Sequence, residues 1–329
     1  MNLWKRLLPL ALALTLLAGC ASTGNDISDD DIYTNRVELQ EVNIEDEAVA
    51  MSDAPAALST LLLPVASGTQ VEKNSRAQID YSNIKDGYVM VKCSSTGKKL
   101  VVQVFGPSYS ANQTKYTYNL SADTWTTFPL SDGNGSYKVT VYENTTDKKY
   151  AALLTASFNV TLNDEFAPFL RPNQYVDYAN APKAVAKAAE LAGNETDPLK
   201  LVEIIYDYVV TNLTYDKKLA ATVKSGYLPV LDNVLAKKTG ICFDYASLMT
   251  GMLRSLGVPC KLVVGYAGTQ YHAWINVWSE ETGWVNGAVY FDGSAWQRMD
   301  PTYASSGKQS SSIMKYIGDG KNYNPMYLY

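Results

Sequence analysis

The apolar positions of the chain follow two different periods, one in each half of its ordered part. From about Arg76 to Leu162, short β-branched and aromatic runs alternate with turn formers such as Asp86-Gly87, which is typical of strands. After Asn163, apolar residues recur at steps of three and four, which is typical of helices. Short strand-like runs return after residue 260. The pattern therefore predicts an all-β region followed by a mixed one.

In the first region, six runs lie 8–12 residues apart along the chain. That spacing predicts an antiparallel sandwich of immunoglobulin type. The region contains neither histidine nor a cluster of acidic residues with metal-ligand spacing, so we interpret it as a spacer or adhesive module. The predicted strands are Tyr88–Cys93, Leu100–Phe105, Tyr116–Leu120 and residues 124–130, 137–142 and 152–162.

In the second region, the helices come first and the strands follow. Helices are predicted over residues 182–192, from Asp197-Pro198 onwards, over about 229–238, and from Cys242 to a stop at Gly257. Strands are predicted over residues 261–266, 271–278, 284–286, 288–291 and 295–299. This order predicts an α+β domain whose antiparallel sheet packs against the helix that begins at Cys242.

Cys242 is the first candidate for chemistry, because it stands at the predicted start of that helix. Unpaired amide hydrogens and the helix dipole favour negative charge at such a position, and therefore a thiolate. Packing of a small apolar side chain is the ordinary alternative for a cysteine. We expect that alternative role for Cys93 and Cys260, each of which lies in or beside an apolar strand.

His272 is the only histidine of the chain. Alternation along its strand places it with Trp274, on the opposite face from Tyr271 and Ala273. We expect the second face to be the core face and the first to border a cleft. Asp300 follows at the end of a later strand, so cysteine, histidine and aspartate stand in the order that suits a nucleophile, a base and an orienting carboxylate. Asp292 and Asp244 are rival carboxylates.

Five short motifs surround these residues: 240–246 (GICFDYA), 253–259 (LRSLGVP), 264–266 (VGY), 272–274 (HAW) and 299–302 (MDPT). Together they resemble the transglutaminase-like superfamily. The resemblance covers about residues 195–305 and leaves the strand region aside. It implies a papain-like α+β core in which Cys242, His272 and Asp300 form a catalytic triad for amide-bond chemistry: transamidation, peptide cleavage or deamidation.

The same resemblance suggests accessory residues. The backbone amide of Cys242 is one candidate donor to the oxyanion. By analogy, a second donor is expected from a side chain upstream, and Tyr215 is the candidate. Asp244 would polarise the site or cap the first helical turn. Tyr266, Tyr271 and Trp274 are predicted to line a peptide cleft. The alternative is that Tyr266 and Trp274 are wedged under the sheet.

Metals and nucleic acids do not fit the sequence. We see no acidic spacing typical of a calcium loop, and one histidine with scattered cysteines cannot build a usual zinc site. No cofactor is predicted. The formal net charge of −5 and the lack of a basic stretch argue against nucleic-acid binding.

The first residues predict export and a lipid anchor. Residues 1–19 read as a signal peptide, with Lys5 and Arg6 before an apolar run, and they precede Cys20 in a sequence that resembles the bacterial lipoprotein box. Residues 20–70 hold an acidic stretch without an apolar period, which predicts a flexible tether. The predicted domains are therefore 1–19, 20–70, a sandwich over 71–163 and a catalytic domain over 164–329.

Together these features predict an extracytoplasmic enzyme, attached to a bacterial membrane through lipid on Cys20. It would form a thioester with an extracellular protein or a cell-wall peptide and transfer the acyl group to water or an amine. We favour water, since no closed apolar channel is evident. The alternative hypothesis is a non-enzymatic surface protein that binds or adheres.

Overall fold

The computed structural model describes residues 27–28, 61–94, 96–109, 115–267, 270–279, 283–285, 289–291, 296–298 and 323–329. The signal peptide, Cys20 and most of the tether lie outside the described residues, as do Asp292 and Asp300. In the part of the chain that is described, no helix is both long and apolar enough to cross a bilayer.

The first region forms two antiparallel sheets. The larger has the order β1-β9-β8-β5-β6 and the smaller β2-β3-β4-β7. The predicted strand positions are confirmed apart from their ends, but β1, β2 and β3 were not predicted. The strands are β1 (Ile27–Ser28), β2 (Val71–Lys73), β3 (Ala77–Asp80), β4 (Tyr88–Cys93), β5 (Leu100–Phe105), β6 (Tyr116–Leu120), β7 (Thr126–Pro129), β8 (Gly135–Thr146) and β9 (Lys149–Val160).

Alternation explains how the two sheets share a core. In β6, Tyr116, Tyr118 and Leu120 are buried while the residues between them are half-buried. The ring of Tyr118 reaches Phe128 of β7 in the other sheet, with 4.9 Å between ring centroids. The structure thus shows two packed antiparallel sheets in this region, whereas a sandwich of immunoglobulin type stays a prediction.

Helices open the second region, as predicted. Asp197 caps the second helix by accepting a hydrogen bond from the backbone N–H of Leu199 at 2.9 Å, and Pro198 follows it at the first helical position. Gly257, with φ of +81°, follows the last helix as expected for a stop. The helices are α1 (Pro182–Ala192), α2 (Pro198–Asn212), α3 (Lys217–Thr222), α4 (Leu231–Lys237) and α5 (Cys242–Ser255).

A four-stranded antiparallel sheet with the order β14-β13-β12-β17 lies beside these helices. Two smaller pairs accompany it: an antiparallel pair of β15 and β16, and a parallel pair of β10 and β11. The mixed α+β domain is thus confirmed. The strands are β10 (Thr214–Tyr215), β11 (Thr239–Gly240), β12 (Cys260–Ala267), β13 (Gln270–Ser279), β14 (Gly283–Val285), β15 (Val289–Phe291), β16 (Trp296–Arg298) and β17 (Tyr323–Leu328).

Helix α5 is the centre of this region. All of its residues from Asp244 to Ser255 are buried. It packs against the helices α1, α2 and α4 and against the strands β12 and β13. A helix enclosed in this way has its first turn fixed by packing in addition to its backbone hydrogen bonds, so the position of Cys242 is set by the core of the domain.

Candidate active site

Cys242 is the first residue of α5, as predicted, and it is half-buried. The other two cysteines that the structure describes, Cys93 and Cys260, are buried, and all three are free thiols. Burial raises the pKa of Cys260 to about 11, which leaves that thiol protonated at neutral pH. Among the described cysteines, Cys242 is therefore the one that can meet a substrate.

A short parallel ladder fixes the backbone that leads into Cys242. Tyr215 of β10 is in register with Gly240 of β11, and the backbone N–H of Asp216 donates to the carbonyl of Gly240 at 2.8 Å. The structure thus brings Tyr215 alongside the chain two residues before Cys242. Its proposed role as an oxyanion donor stays a prediction.

Asp244 is completely buried and holds the first turn of α5 in place. Its Oδ2 accepts a hydrogen bond from the backbone N–H of Ile241 at 2.8 Å, and its Oδ1 accepts one from the hydroxyl of Tyr227 at 2.7 Å. Burial raises the pKa of Asp244 to about 6, although both hydrogen bonds oppose the shift. Of the two roles considered for Asp244, the structure shows the capping one.

Gly240 makes room for that carboxyl group. A Cβ at position 240 would lie 2.5 Å from Cβ of Asp244 and 2.8 Å from its Oδ2. Glycine is therefore needed at position 240, because the side chain of Asp244 folds back over it. Tyr227 was not identified from the sequence, since a single tyrosine in a loop between two helices carries no periodic or spacing signal.

His272 lies in β13, where it is in register with Gly265 of β12. Because α5 packs against β12 and β13, the helix that carries the thiol and the strand that carries the imidazole are neighbours. Asp300, the third member of the predicted triad, lies outside the described residues, so the triad as a whole stays a prediction.

The expectation of an open face on β13 is wrong. His272 is 4% exposed and Trp274 is 1% exposed, while Ala273 and Ile275 on the other face are buried as well. β13 is an inner strand of the sheet, α5 packs against it, and successive residues from both of its faces are buried. Trp274 therefore packs inside the protein and does not border an open cleft.

Tyr266 and Tyr271 behave differently from Trp274. Both are 39% exposed, and their rings meet edge to face with 5.5 Å between centroids. They form a cross-strand pair at the end of the β12–β13 hairpin, next to the pair that contains His272. Tyr266 is thus not wedged under the sheet, and a substrate-binding role for the two tyrosines stays a prediction.

The comparisons with known proteins concern the second region of the chain. Residues 185–301 match the family described as Transglutaminase-like superfamily, a range that includes Cys242, His272 and Asp300. The chain therefore contains a transglutaminase-like core with mixed helices and sheets.

Three individual proteins illustrate the likeness. The chain is 29% identical over 137 residues to a protein-glutamine gamma-glutamyltransferase of Pseudomonas aeruginosa, covering 37% of this chain and 18% of that protein. It is 30% identical over 111 residues to the uncharacterized protein YebA of Bacillus subtilis, covering 28% of this chain and 15% of that protein. The chain thus spans less than a fifth of either relative. The solved periplasmic domain of TgpA from Pseudomonas aeruginosa aligns with a TM-score of 0.33 and 17% identity, over 77% of this chain and 80% of that one.

Proposed function

We propose that this chain, whose residues 185–301 form a transglutaminase-like core, is an extracytoplasmic thiol enzyme that acts on amide bonds of proteins or peptides. One observation carries most of the support: α5 begins at Cys242 and packs against the strand that holds the only histidine. A thiol at a helix start beside an imidazole is suited to nucleophilic acyl transfer.

In the proposed reaction, His272 takes the proton of the Cys242 thiol, and the thiolate attacks the carbonyl carbon of the amide. The C–N bond then breaks, the imidazolium gives its proton to the leaving amine, and a thioester remains on Cys242. Water attacks the thioester with the same imidazole as base, which releases a carboxylic acid and the free thiol. The Asp300 carboxylate would accept a hydrogen bond from the second imidazole N–H of His272. The backbone N–H of Cys242 would donate a hydrogen bond to the oxyanion.

We further propose that a lipid on Cys20 holds the enzyme at a bacterial membrane, where extracellular proteins or cell-wall peptides are its substrates. Water is the proposed acceptor. Incubation with casein whose lysines have been dimethylated, together with a labelled primary amine, distinguishes the reactions. Peptide fragments or ammonia without incorporated label support hydrolysis, whereas incorporated label contradicts it and indicates amine transfer.

The reactivity of Cys242 tests the enzyme itself. At pH 7, iodoacetamide is expected to alkylate Cys242 at least tenfold faster than an ordinary exposed thiol, because the thiolate is the reactive form. His272→Ala is expected to remove that advantage, since the imidazole no longer takes the thiol proton. Mass spectrometry of the Cys242 peptide gives the rate constant.

The matched control is Ser121→Cys, which places a thiol at an exposed position directly after β6 in the strand region. Comparison with this introduced thiol separates chemical activation from simple exposure, which the buried Cys93 and Cys260 cannot do. Equal alkylation rates for Cys242 and the introduced thiol would contradict the enzyme and favour a surface protein that only binds its partner.

A further inference from the structure

An aromatic cluster joins the strand region to the helix that begins at Cys242. At its centre is Tyr118 of β6, which is buried and contacts Phe128, Tyr175 and Tyr329, with ring centroids 4.9 Å, 5.7 Å and 5.9 Å away. Strand β6 is an edge strand of the larger sheet. The edge of the strand region is therefore covered by residues of the second region.

The segment between β9 and α1 (residues 161–181, the connecting segment) contacts that edge through two of its side chains. Nε2 of Gln174 donates to the carbonyl of Asn119 at 2.7 Å, and the hydroxyl of Tyr175 donates to the carbonyl of Thr117 at 3.5 Å. Both acceptors are main-chain carbonyls of β6 and lie two residues apart on the strand. The connecting segment therefore forms hydrogen bonds along the edge of β6.

Tyr175 also reaches the candidate active site. Its ring lies 5.5 Å from the ring of Phe243, the residue that directly follows Cys242, and 4.5 Å from the ring of Tyr329. Phe243 belongs to the first turn of α5. One aromatic side chain thus connects the edge of the strand region to the turn that carries the thiol.

This contact has a physical consequence for the thiol. The ring of Phe243 packs against that of Tyr175, and the first turn of a helix is where fraying begins. A displacement of about 1 Å at a reacting group is enough to cost a large factor in rate. A side chain that fixes Phe243 therefore also restrains the position of Cys242.

We propose that Tyr175 is a positioning residue, which holds Phe243 against the strand region and thereby fixes the start of α5. The strand region is then a part of the thiol site and not a separate spacer. This inference rests on the proposed function for its effect on reactivity, but its structural content stands without it.

Tyr175→Ala and Tyr175→Phe test the proposal. The alanine variant is expected to lower the alkylation rate of Cys242 about tenfold. The phenylalanine variant keeps the ring and is expected to stay within about twofold of the wild type. Hydrogen exchange of the peptide covering residues 240–248 is expected to be at least tenfold faster in Tyr175→Ala and unchanged in Tyr175→Phe.

Tyr81→Ala is the matched control, because it removes a tyrosine ring that stacks on Phe158 at 5.3 Å within the strand region. It is expected to lower the melting temperature without changing either readout at Cys242. Equal effects of Tyr81→Ala and Tyr175→Ala on exchange at residues 240–248 would overturn the proposal. If wild-type Cys242 is no more reactive than the thiol introduced by Ser121→Cys, the proposed function fails, and the exchange measurement still decides the role of Tyr175.

Discussion

Replacing Arg254 by methionine is expected to lower the free energy of unfolding by about 3–5 kcal/mol. Arg254 lies in the last turn of α5 and is 2% exposed. Its guanidinium donates to three main-chain carbonyls: Cys260 at 2.9 Å, Arg171 at 2.7 Å and Tyr329 at 2.5 Å. Methionine has a similar length but no donor, so all three acceptors lose a charged partner. Chemical denaturation at pH 7 measures the change.

The three carbonyls explain why the expected loss is large. They belong to the start of β12, to the connecting segment and to the residue after β17, so a single side chain ties three separate stretches to α5. Burial lowers the pKa of Arg254 to about 10, and the group is still charged at neutral pH. Methionine removes the cost of burying that charge, which offsets part of the loss.

Two further variants define the outcome. Lys200→Met removes an exposed charge in a weak surface pair with Glu195 and is expected to change the stability by less than about 0.5 kcal/mol. Arg254→Lys keeps the charge but cannot reach three carbonyls with one ammonium group, so it should recover only part of the loss. A fully stable Arg254→Met would show that the three hydrogen bonds contribute nothing net.

Four of the five described α-helices were predictable because their signals are local, whereas α3 was not predicted. Asp197-Pro198 opens α2, Gly257 follows α5, and α5 begins at Cys242. Caps, stops and apolar periodicity depend only on neighbouring residues. The motif that contains Cys242 spans the start of α5, and the motif that contains His272 lies on the predicted strand β13. The positions of the candidate thiol and base in the fold could therefore be read from the sequence.

Contacts between distant segments could not be read in this way. Alternation along β13 separates its two faces, but it cannot show that both are covered, because the cover comes from other parts of the chain. Likewise, neither Tyr175 nor Tyr227 has a spacing that marks it, although each contacts the first turn of α5 or its capping group. The C-terminal residues gave no clear pattern, yet β17 completes the sheet by pairing with β12.

The capping carboxyl of Asp244 makes stability depend on pH in an unusual direction. An unfolded aspartate has a pKa near 3.9, whereas burial raises the folded pKa to about 6. The nearby Asp216 adds to this shift, and the hydrogen bonds from Ile241 and Tyr227, together with Lys237, oppose it. The folded state therefore binds this proton more tightly than the unfolded state does. As the pH rises from about 4 to about 6, this group lowers the free energy of unfolding, and the loss persists above pH 6.

Asp244→Asn is expected to abolish that contribution, which amounts to about 2–3 kcal/mol for a shift of this size. Asparagine can still accept from the N–H of Ile241, and its amide can donate to the hydroxyl oxygen of Tyr227, so both contacts are kept. Relative to the wild type, the variant should therefore gain stability between pH 4 and pH 7.5, measured by urea unfolding at both values. Asp147→Asn, in an exposed turn, is the control and should follow the wild type. If Asp244→Asn and the wild type show the same pH dependence, the pKa of Asp244 is the same in the folded and unfolded protein, and the prediction is wrong.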